Sequence, residues 1–229
     1  MPLRSHRKGH LVDVPVHDMV LRIAGAEHLY EEIRATAMQF WEQLQAYVLR
    51  HPTFQTSKRP LSVPDDAPPV VRQMARLSGM AGVGPMFTFR GALTEYVGQA
   101  VAKQMPEVNV SCGGDHYVIT RNRARLRVYV RGARDPALSV VIKPELGPHG
   151  IYTAAGESRF SDEEADGLVV VAQSCILADA AAARATAILS KPQSFRVALG
   201  FLQTLRGVHG AVVIRGPNIG VAGALELAA

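Results

Sequence analysis

Apolar residues recur at intervals of three and four near the start of the chain, which is the spacing of one helix face. They are Leu29, Ile33, Ala37, Phe40, Leu44 and Val48. We predict a long amphipathic helix that ends near His51, because the residue before a proline disfavours the helical conformation and Pro52 follows. A second helix is predicted to begin after Pro69, and a third spans residues 86–103.

Strand-like patterns rich in valine, isoleucine and leucine surround these helices. Residues 11–24 predict two short strands with a bend. Further strands are predicted at 108–111, 117–120, 126–130, 138–142 and 167–172. Ser174 and Ser194 are the predicted N-caps of two later helices, and a hairpin around residues 216–218 closes the chain. Helices and strands are segregated rather than alternating, so we predict a single α+β domain over residues 1–229, with helices packed on a largely antiparallel sheet.

The composition admits an anionic partner without identifying it. The chain has 229 residues, 48% of them hydrophobic, and a formal net charge of +5, so it can bury a full core and favours anionic ligands slightly. Cys112 and Cys175 lie in apolar segments, which favours free thiols in a reducing compartment. The sequence has no long apolar span, so we expect a cytoplasmic protein with no membrane partner.

The segment from Val108 to Tyr117 is the most informative about function. Gly113 and Gly114 interrupt its strand pattern just before Asp115. Adjacent glycines let a ligand approach the main chain closely, although an ordinary hairpin turn explains this pattern better when it is taken alone. A second acid, Asp179, lies near the start of the alanine-rich helix and strengthens the ligand interpretation.

Three blocks of sequence together resemble a known family. They are residues 81–98, residues 112–115, and residues 165–172 with 177–180. Their content, order and spacing resemble the ApbE-like superfamily, whose best-known members are FAD:protein FMN transferases, and in particular its short cytoplasmic branch. The resemblance covers most of the chain and implies the ApbE-like fold.

The resemblance also implies a ligand, a metal and the residues that hold them. The ligand would be a flavin nucleotide, FAD or FMN, or a related phosphate-bearing molecule, and the metal would be Mg²⁺. Gly113, Gly114 and Asp115 would lie against the flavin nucleotide, with Thr153 and Gly156 from a Thr-Ser-Ser-Gly-like segment, and Asp179 would be the metal ligand. Magnesium prefers hard oxygen ligands and commonly binds through one or two carboxylates together with substrate phosphates.

Several positions depart from the transferase pattern and leave the activity open. The transferases place a threonine one helical turn after the metal-binding aspartate, where this chain has Ala183. Ala154 and Ala155 replace two hydroxyl residues, and a His-Ile-Asp-Pro-x-Thr-Gly loop is missing. FMN transfer from FAD is therefore one possibility. A protein that keeps the fold as a non-catalytic binding or scaffold protein is the other, and a homo-oligomer is left open.

A nucleic-acid-binding module is a third interpretation. Arg121, Arg123, Arg125 and Arg127 alternate at period two, so an extended backbone would place four guanidinium groups on one face. The stretch lacks interleaved aromatic residues for base stacking, and a charged edge strand explains it equally well. We therefore do not expect a nucleic-acid partner. The eight histidines are scattered, which argues against a zinc site.

Overall fold

The structure is a computed structural model that describes residues 10–130, 135–154, 165–191 and 193–228. Its described part contains six α-helices: α1 (Tyr30–Arg50), α2 (Pro52–Thr56), α3 (Pro69–Ala81), α4 (Phe89–Val101), α5 (Cys175–Leu189) and α6 (Phe195–Thr204). Short 3-10 turns occur at Glu27–Leu29, Pro85–Thr88 and Pro144–Leu146. None of the helices in these ranges is both long enough and apolar enough to cross a bilayer.

The strands form two antiparallel sheets. They are β1 (Leu11–Val16), β2 (Met19–Ala24), β3 (Val108–Cys112), β4 (Asp115–Ile119), β5 (Ala124–Val128), β6 (Leu138–Ile142), β7 (His149–Thr153), β8 (Gly167–Ala172), β9 (Val208–Arg215), β10 (Asn218–Gly223) and β11 (Glu226–Ala228). The large sheet has the order β1-β2-β3-β4-β7-β8-β9-β10, and the small sheet has the order β11-β6-β5. The predicted α+β class and largely antiparallel sheet are confirmed.

The large sheet lies between two layers, because successive side chains of a strand point to opposite faces. In β9, Ala211 and Val213 are buried with the helices, whereas Val212 and Ile214 are buried against the small sheet. Helix α5 contacts α3, α4 and α6 as well as β7 and β8. It therefore occupies the centre of the helical layer.

Most predicted elements are confirmed, with several differences. The third helix begins as a 3-10 turn at Pro85–Thr88 before α4 continues it. Strand β7 and the short helix α2 were not predicted as regular structure. Ser174 caps α5 by accepting a hydrogen bond from the Leu177 backbone N–H. Ser194 lies at the N-cap position of α6 as predicted, but its hydroxyl makes no capping hydrogen bond and donates to the Lys191 carbonyl instead. That the chain forms one domain stays a prediction.

Candidate functional site

A cavity of about 410 Å³ opens where the start of α4 meets β7 and α5. Its apolar wall consists of Met86, Phe87, Phe89 and Tyr152. The same cavity is lined by Arg90 from α4 and by Asp179, Ala183 and Thr186 from α5. The volume lies within the range of about 300–1,000 Å³ that is usual for small-molecule sites, and an apolar lining with a few charged groups is typical of them.

One ring of the aromatic wall is packed against α1, and another is exposed to solvent. The ring of Phe89 packs against Phe40 and Trp41, with centroid distances of 5.9 and 5.7 Å. Phe87 remains 43% exposed. An exposed phenyl ring beside a cavity offers a flat apolar surface on which another aromatic ring can stack.

Asp179 is buried and hydrogen-bonded to the backbone of the neighbouring helix. Its Oδ2 accepts a hydrogen bond from the Gly91 N–H at 3.2 Å. Gly91 lies in the first turn of α4, where backbone N–H groups have no partner within their own helix. Burial raises the pKa of the Asp179 carboxyl to about 7, although the Gly91 hydrogen bond and the Arg90 charge act in the opposite direction. The carboxyl therefore changes its charge state near neutral pH.

Glu95, one helical turn after Gly91, gives α5 a corresponding cap. It is 6% exposed, and its Oε2 accepts hydrogen bonds from the Ser174 hydroxyl at 2.6 Å and the Cys175 N–H at 2.8 Å. Burial raises the pKa of Glu95, while these hydrogen bonds lower it. Each helix thus supplies a carboxylate to the N-terminus of the other, which fixes Asp179 relative to α4.

The two helices approach closely because the contact position on α4 is a glycine. A Cβ atom at Gly91 would overlap the Cys175 carbonyl of α5. Glycine at this position therefore allows the two helices to pack closely. The same approach brings Arg90, the residue before Gly91, to the edge of the cavity that Asp179 lines.

Asp115 reaches the cavity only through Arg90. The Arg90 Nε lies 3.7 Å from Asp115 Oδ2, and the Asp115 side chain is 1% exposed. Because Arg90 lines the cavity and Asp115 stands behind it, the carboxylate balances the charge of the arginine and orients its side chain. The charge of Arg90 also acts on Asp179 and lowers its pKa, so both carboxyls interact with the same arginine.

The Gly113-Gly114 turn has a structural role that the sequence left open. It joins β3 to β4 as a two-residue hairpin turn, and Gly113 has a positive φ of 58°, for which glycine is well suited. The Gly114 carbonyl accepts the Thr153 N–H at 2.8 Å and the Thr153 hydroxyl at 3.2 Å. Gly113, Gly114 and Thr153 are not among the residues that line the cavity, and Gly156 lies outside the described residues. Their flavin contacts stay predictions.

The chain matches a known family over most of its length. Residues 3–198 match the family described as AbpE bacteria. The chain belongs to this family. Among relatives of this AbpE family member, a UPF0280 protein of Methanopyrus kandleri is 33% identical over 90% of this chain and 86% of the relative. A UPF0280 protein of Methanosarcina acetivorans is 28% identical over 97% of this chain and 88% of the relative.

Solved structures confirm the ApbE-like fold of this AbpE family member. The flavin transferase ApbE from Vibrio cholerae superposes with a TM-score of 0.61 at 13% sequence identity, covering 97% of both chains. The apo form of the Pseudomonas stutzeri flavinyl transferase ApbE gives a TM-score of 0.59 at 14% identity, covering 94% of both chains. The family resemblance predicted from the three sequence blocks is confirmed.

The donor set around Asp179 fits magnesium only together with a phosphate-bearing ligand. Within the described ranges, no group of three or more histidine, cysteine, aspartate or glutamate side chains could hold a metal ion. Ala183 has no side-chain oxygen, and the Thr186 hydroxyl donates to the Ala182 carbonyl at 2.8 Å. Magnesium held by one carboxylate would need phosphate and water oxygens for its remaining positions, which is a common arrangement for this ion.

Sequence reasoning missed several residues of the site. Arg90 was not singled out, although it is the one cation in the first turn of α4. Glu95 is the one acid within the apolar α4, a signal of a buried hydrogen-bonding role. Tyr152 was missed together with its strand, β7.

Proposed function

We propose that this chain binds a flavin nucleotide, or a related aromatic ligand that carries phosphate, in the cavity beside Asp179. One observation carries the proposal: a single cavity of about 410 Å³ joins an exposed aromatic wall to an arginine and a buried carboxyl. The wall suits a flat ring and the arginine suits a phosphate, so the two ends match the two halves of FMN. The family membership and the fold shared with flavin transferases are consistent with this ligand.

In this proposal the ring of the flavin lies against Phe87 and the phosphate lies against Arg90. The guanidinium presents several N–H donors in a planar fork that matches phosphate oxygens. Its Nε side faces Asp115 at 3.7 Å, so that carboxylate would hold the fork in place for the ligand. Met86 adds a flexible apolar surface that adapts to ring edges.

Asp179 is the candidate magnesium ligand in this arrangement. Magnesium bound to this carboxylate and to ligand phosphates would neutralise charge that develops as a phosphoanhydride bond breaks. The Asp179 carboxyl is buried and accepts a hydrogen bond from the Gly91 N–H. Ala183, which also lines the cavity, provides no second oxygen ligand. We therefore propose that the chain has kept nucleotide binding and transfers FMN to a protein hydroxyl only weakly. Efficient transfer is the alternative.

A nucleic-acid interface has less support. Arg125 and Arg127 lie on β5, which is an edge strand of the small sheet. Arg123 forms two hydrogen bonds with Glu226, at 2.9 and 3.1 Å. These positions fit the interpretation of a charged edge strand that discourages pairing with another chain.

A flavin titration tests the proposal. The purified protein is titrated with FMN, FAD and riboflavin, and binding is followed by flavin fluorescence with and without magnesium. FMN should bind more tightly than riboflavin, which has no phosphate. Arg90→Gln should weaken FMN binding roughly 10- to 100-fold, since a hydrogen bond to a charged group contributes about 1.5–3 kcal/mol, and should leave riboflavin binding unchanged. Arg34→Gln, on the exposed face of α1, is the matched control. Equal effects of the two variants on FMN would contradict the site.

A further inference from the structure

A second cavity, of about 440 Å³, lies between α3 and the loop before it. The loop contributes Pro60, Leu61 and Val63, and the helix contributes Arg72, Arg76 and Gly79. None of its lining residues belongs to the cavity beside Asp179. It is a separate concave surface, with an apolar side and a cationic side.

The two arginines of this cavity stand next to each other, and neither forms an ion pair with a carboxylate of the described residues. Arg72 and Arg76 are four residues apart on α3, so their Cβ atoms are neighbours at about 5–6 Å on the helix surface. Among the described residues, no carboxylate lies within 4 Å of either guanidinium, whereas Arg22, Arg90 and Arg123 each pair with an acid. Both side chains are exposed. The charge of Arg76 acts on the buried Glu95 carboxyl and lowers its pKa, but this is not an ion pair in contact. Two adjacent exposed cations that line a cavity favour an anionic ligand there.

The start of α3 and the preceding loop add to the positive potential. Arg72 lies in the first turn of α3, which begins at Pro69, and the N-terminal end of a helix attracts anions. Lys58 and Arg59 lie in the same loop as the apolar wall. Asp65 and Asp66 also precede the helix, but neither lies within 4 Å of Arg72 or Arg76. The cationic groups therefore dominate this side of the cavity.

The loop that forms the apolar wall is held by hydrogen bonds. The Ser57 hydroxyl accepts the Arg59 N–H at 3.1 Å and donates to the Arg59 carbonyl at 2.8 Å. The Gly84 N–H donates to the Lys58 carbonyl at 3.1 Å, which ties the loop to the end of α3. A cavity with fixed walls does not have to order its loop when a ligand binds, and this lowers the entropic cost of binding.

We propose that this cavity is a second anion site that binds a ligand carrying a diphosphate group. Each guanidinium can bind one phosphate group through paired N–H donors, and two guanidinium groups one helical turn apart match two linked phosphates. Pro60, Leu61 and Val63 would contact an organic group attached to the diphosphate. The site does not depend on flavin binding beside Asp179.

Calorimetric titration of the whole protein with inorganic pyrophosphate tests this site. The Arg72→Gln/Arg76→Gln variant should lose at least tenfold in affinity, whereas Arg34→Gln/Arg196→Gln, which removes two exposed charges elsewhere, should change it less than twofold. Arg90→Gln, which changes the cavity beside Asp179, should keep the pyrophosphate binding event that the Arg72→Gln/Arg76→Gln variant loses. Melting temperatures without ligand should agree between the two double variants, since their four surface arginines are exposed.

The outcomes separate this site from the cavity beside Asp179. Three outcomes would overturn the second site. They are loss of pyrophosphate binding in Arg90→Gln alone, equal loss in both double variants, and no binding to the native protein. Inorganic phosphate that binds as tightly as pyrophosphate would contradict the preference for a diphosphate. Tighter binding of ADP than of pyrophosphate would support a contact between the organic group and the apolar wall, and weaker binding of ADP would contradict that contact.

Discussion

The Glu95 carboxylate accepts a hydrogen bond from the Cys175 backbone N–H at 2.8 Å and thereby caps α5 from the side of α4. In the same way, the Asp179 carboxylate of α5 accepts a hydrogen bond from the Gly91 N–H at the start of α4. Both bonds satisfy backbone donors that their own helices leave unpaired. The candidate metal ligand is therefore also a structural residue, and its two roles have to be separated by experiment.

Replacement of Glu95 by alanine should destabilise the fold strongly. The Ser174 hydroxyl and the Cys175 N–H would lose a buried acceptor, which costs about 1–3 kcal/mol for each unsatisfied group. Glu95→Gln keeps an acceptor oxygen and should cost less. Urea denaturation measures the difference, with Glu42→Ala at an exposed position of α1 as the control. A loss no greater than that of the control would show that the cap is unimportant.

Asp179→Asn should separate magnesium binding by this residue from its hydrogen bond to the Gly91 N–H. The asparagine carbonyl oxygen can still accept the Gly91 N–H, so the free energy of unfolding should stay near that of the native protein. Asp179→Ala removes the acceptor and should cost about 1 kcal/mol, as the loss of a helix cap does. Both variants should abolish any magnesium dependence of FAD affinity, measured by fluorescence. Magnesium dependence that persists in both would exclude Asp179 as a metal ligand.

Gly114→Ala should lower stability rather than act on the ligand alone. A Cβ atom at this position would overlap the Thr153 carbonyl, and overpacking of this kind costs about 1–3 kcal/mol. Gly200→Ala is the matched control, because a Cβ there meets no atom within 4 Å. Thermal unfolding should show a lower melting temperature for the Gly114 variant and no decrease for the control. Unchanged stability together with weaker flavin binding would instead assign the turn to the ligand site.

His116 should make the protein less stable in acid. Burial lowers the pKa of its imidazole to about 4, from 6.5. Below pH 6.5 the unfolded chain takes up a proton at this position that the folded chain does not, so lower pH favours unfolding. The stabilising effect is complete above pH 6.5 and is lost progressively as the pH falls to about 4.

The pH effect of His116 is best measured as a difference between proteins. The pKa of Asp179 is raised to about 7, so that carboxyl contributes the opposite slope, with stability falling as the pH rises from about 4 to 7. His116→Gln should show a smaller loss of stability between pH 7 and pH 4.5 than the native protein. His28→Gln, at an exposed position, should behave like the native protein. Identical pH profiles for all three would contradict the assignment to His116.

Local patterns in the sequence predicted most of the elements, but not the contacts between them. The repeat of apolar residues through α1 predicted that helix, and alternating residues predicted β1 and β2. Strand β7 was missed because Gly150 is a poor strand residue. Because Gly150 has no Cβ, the Ser174–Cys175 backbone at the start of α5 can pack against it. A contact between distant segments of this kind leaves no signal in the local sequence pattern.

The candidate site was predicted in part for the same reason. Asp179 was found through the resemblance, and it lines the cavity. Arg90 was not found, because its partners Asp115 and Asp179 approach it only after the sheet and α5 have packed on α4. The arginines beside the second cavity look like ordinary solvent-facing residues of an amphipathic helix. Only the position of the preceding loop shows that they face a concave surface.

The most direct test of the central claim is a crystal structure of the protein grown with FMN and magnesium. We predict a flavin ring against Phe87 and a phosphate within hydrogen-bonding distance of the Arg90 guanidinium, with any magnesium ion contacting Asp179. A flavin bound elsewhere, or a phosphate that contacts neither Arg90 nor a metal held by Asp179, would contradict the proposed site.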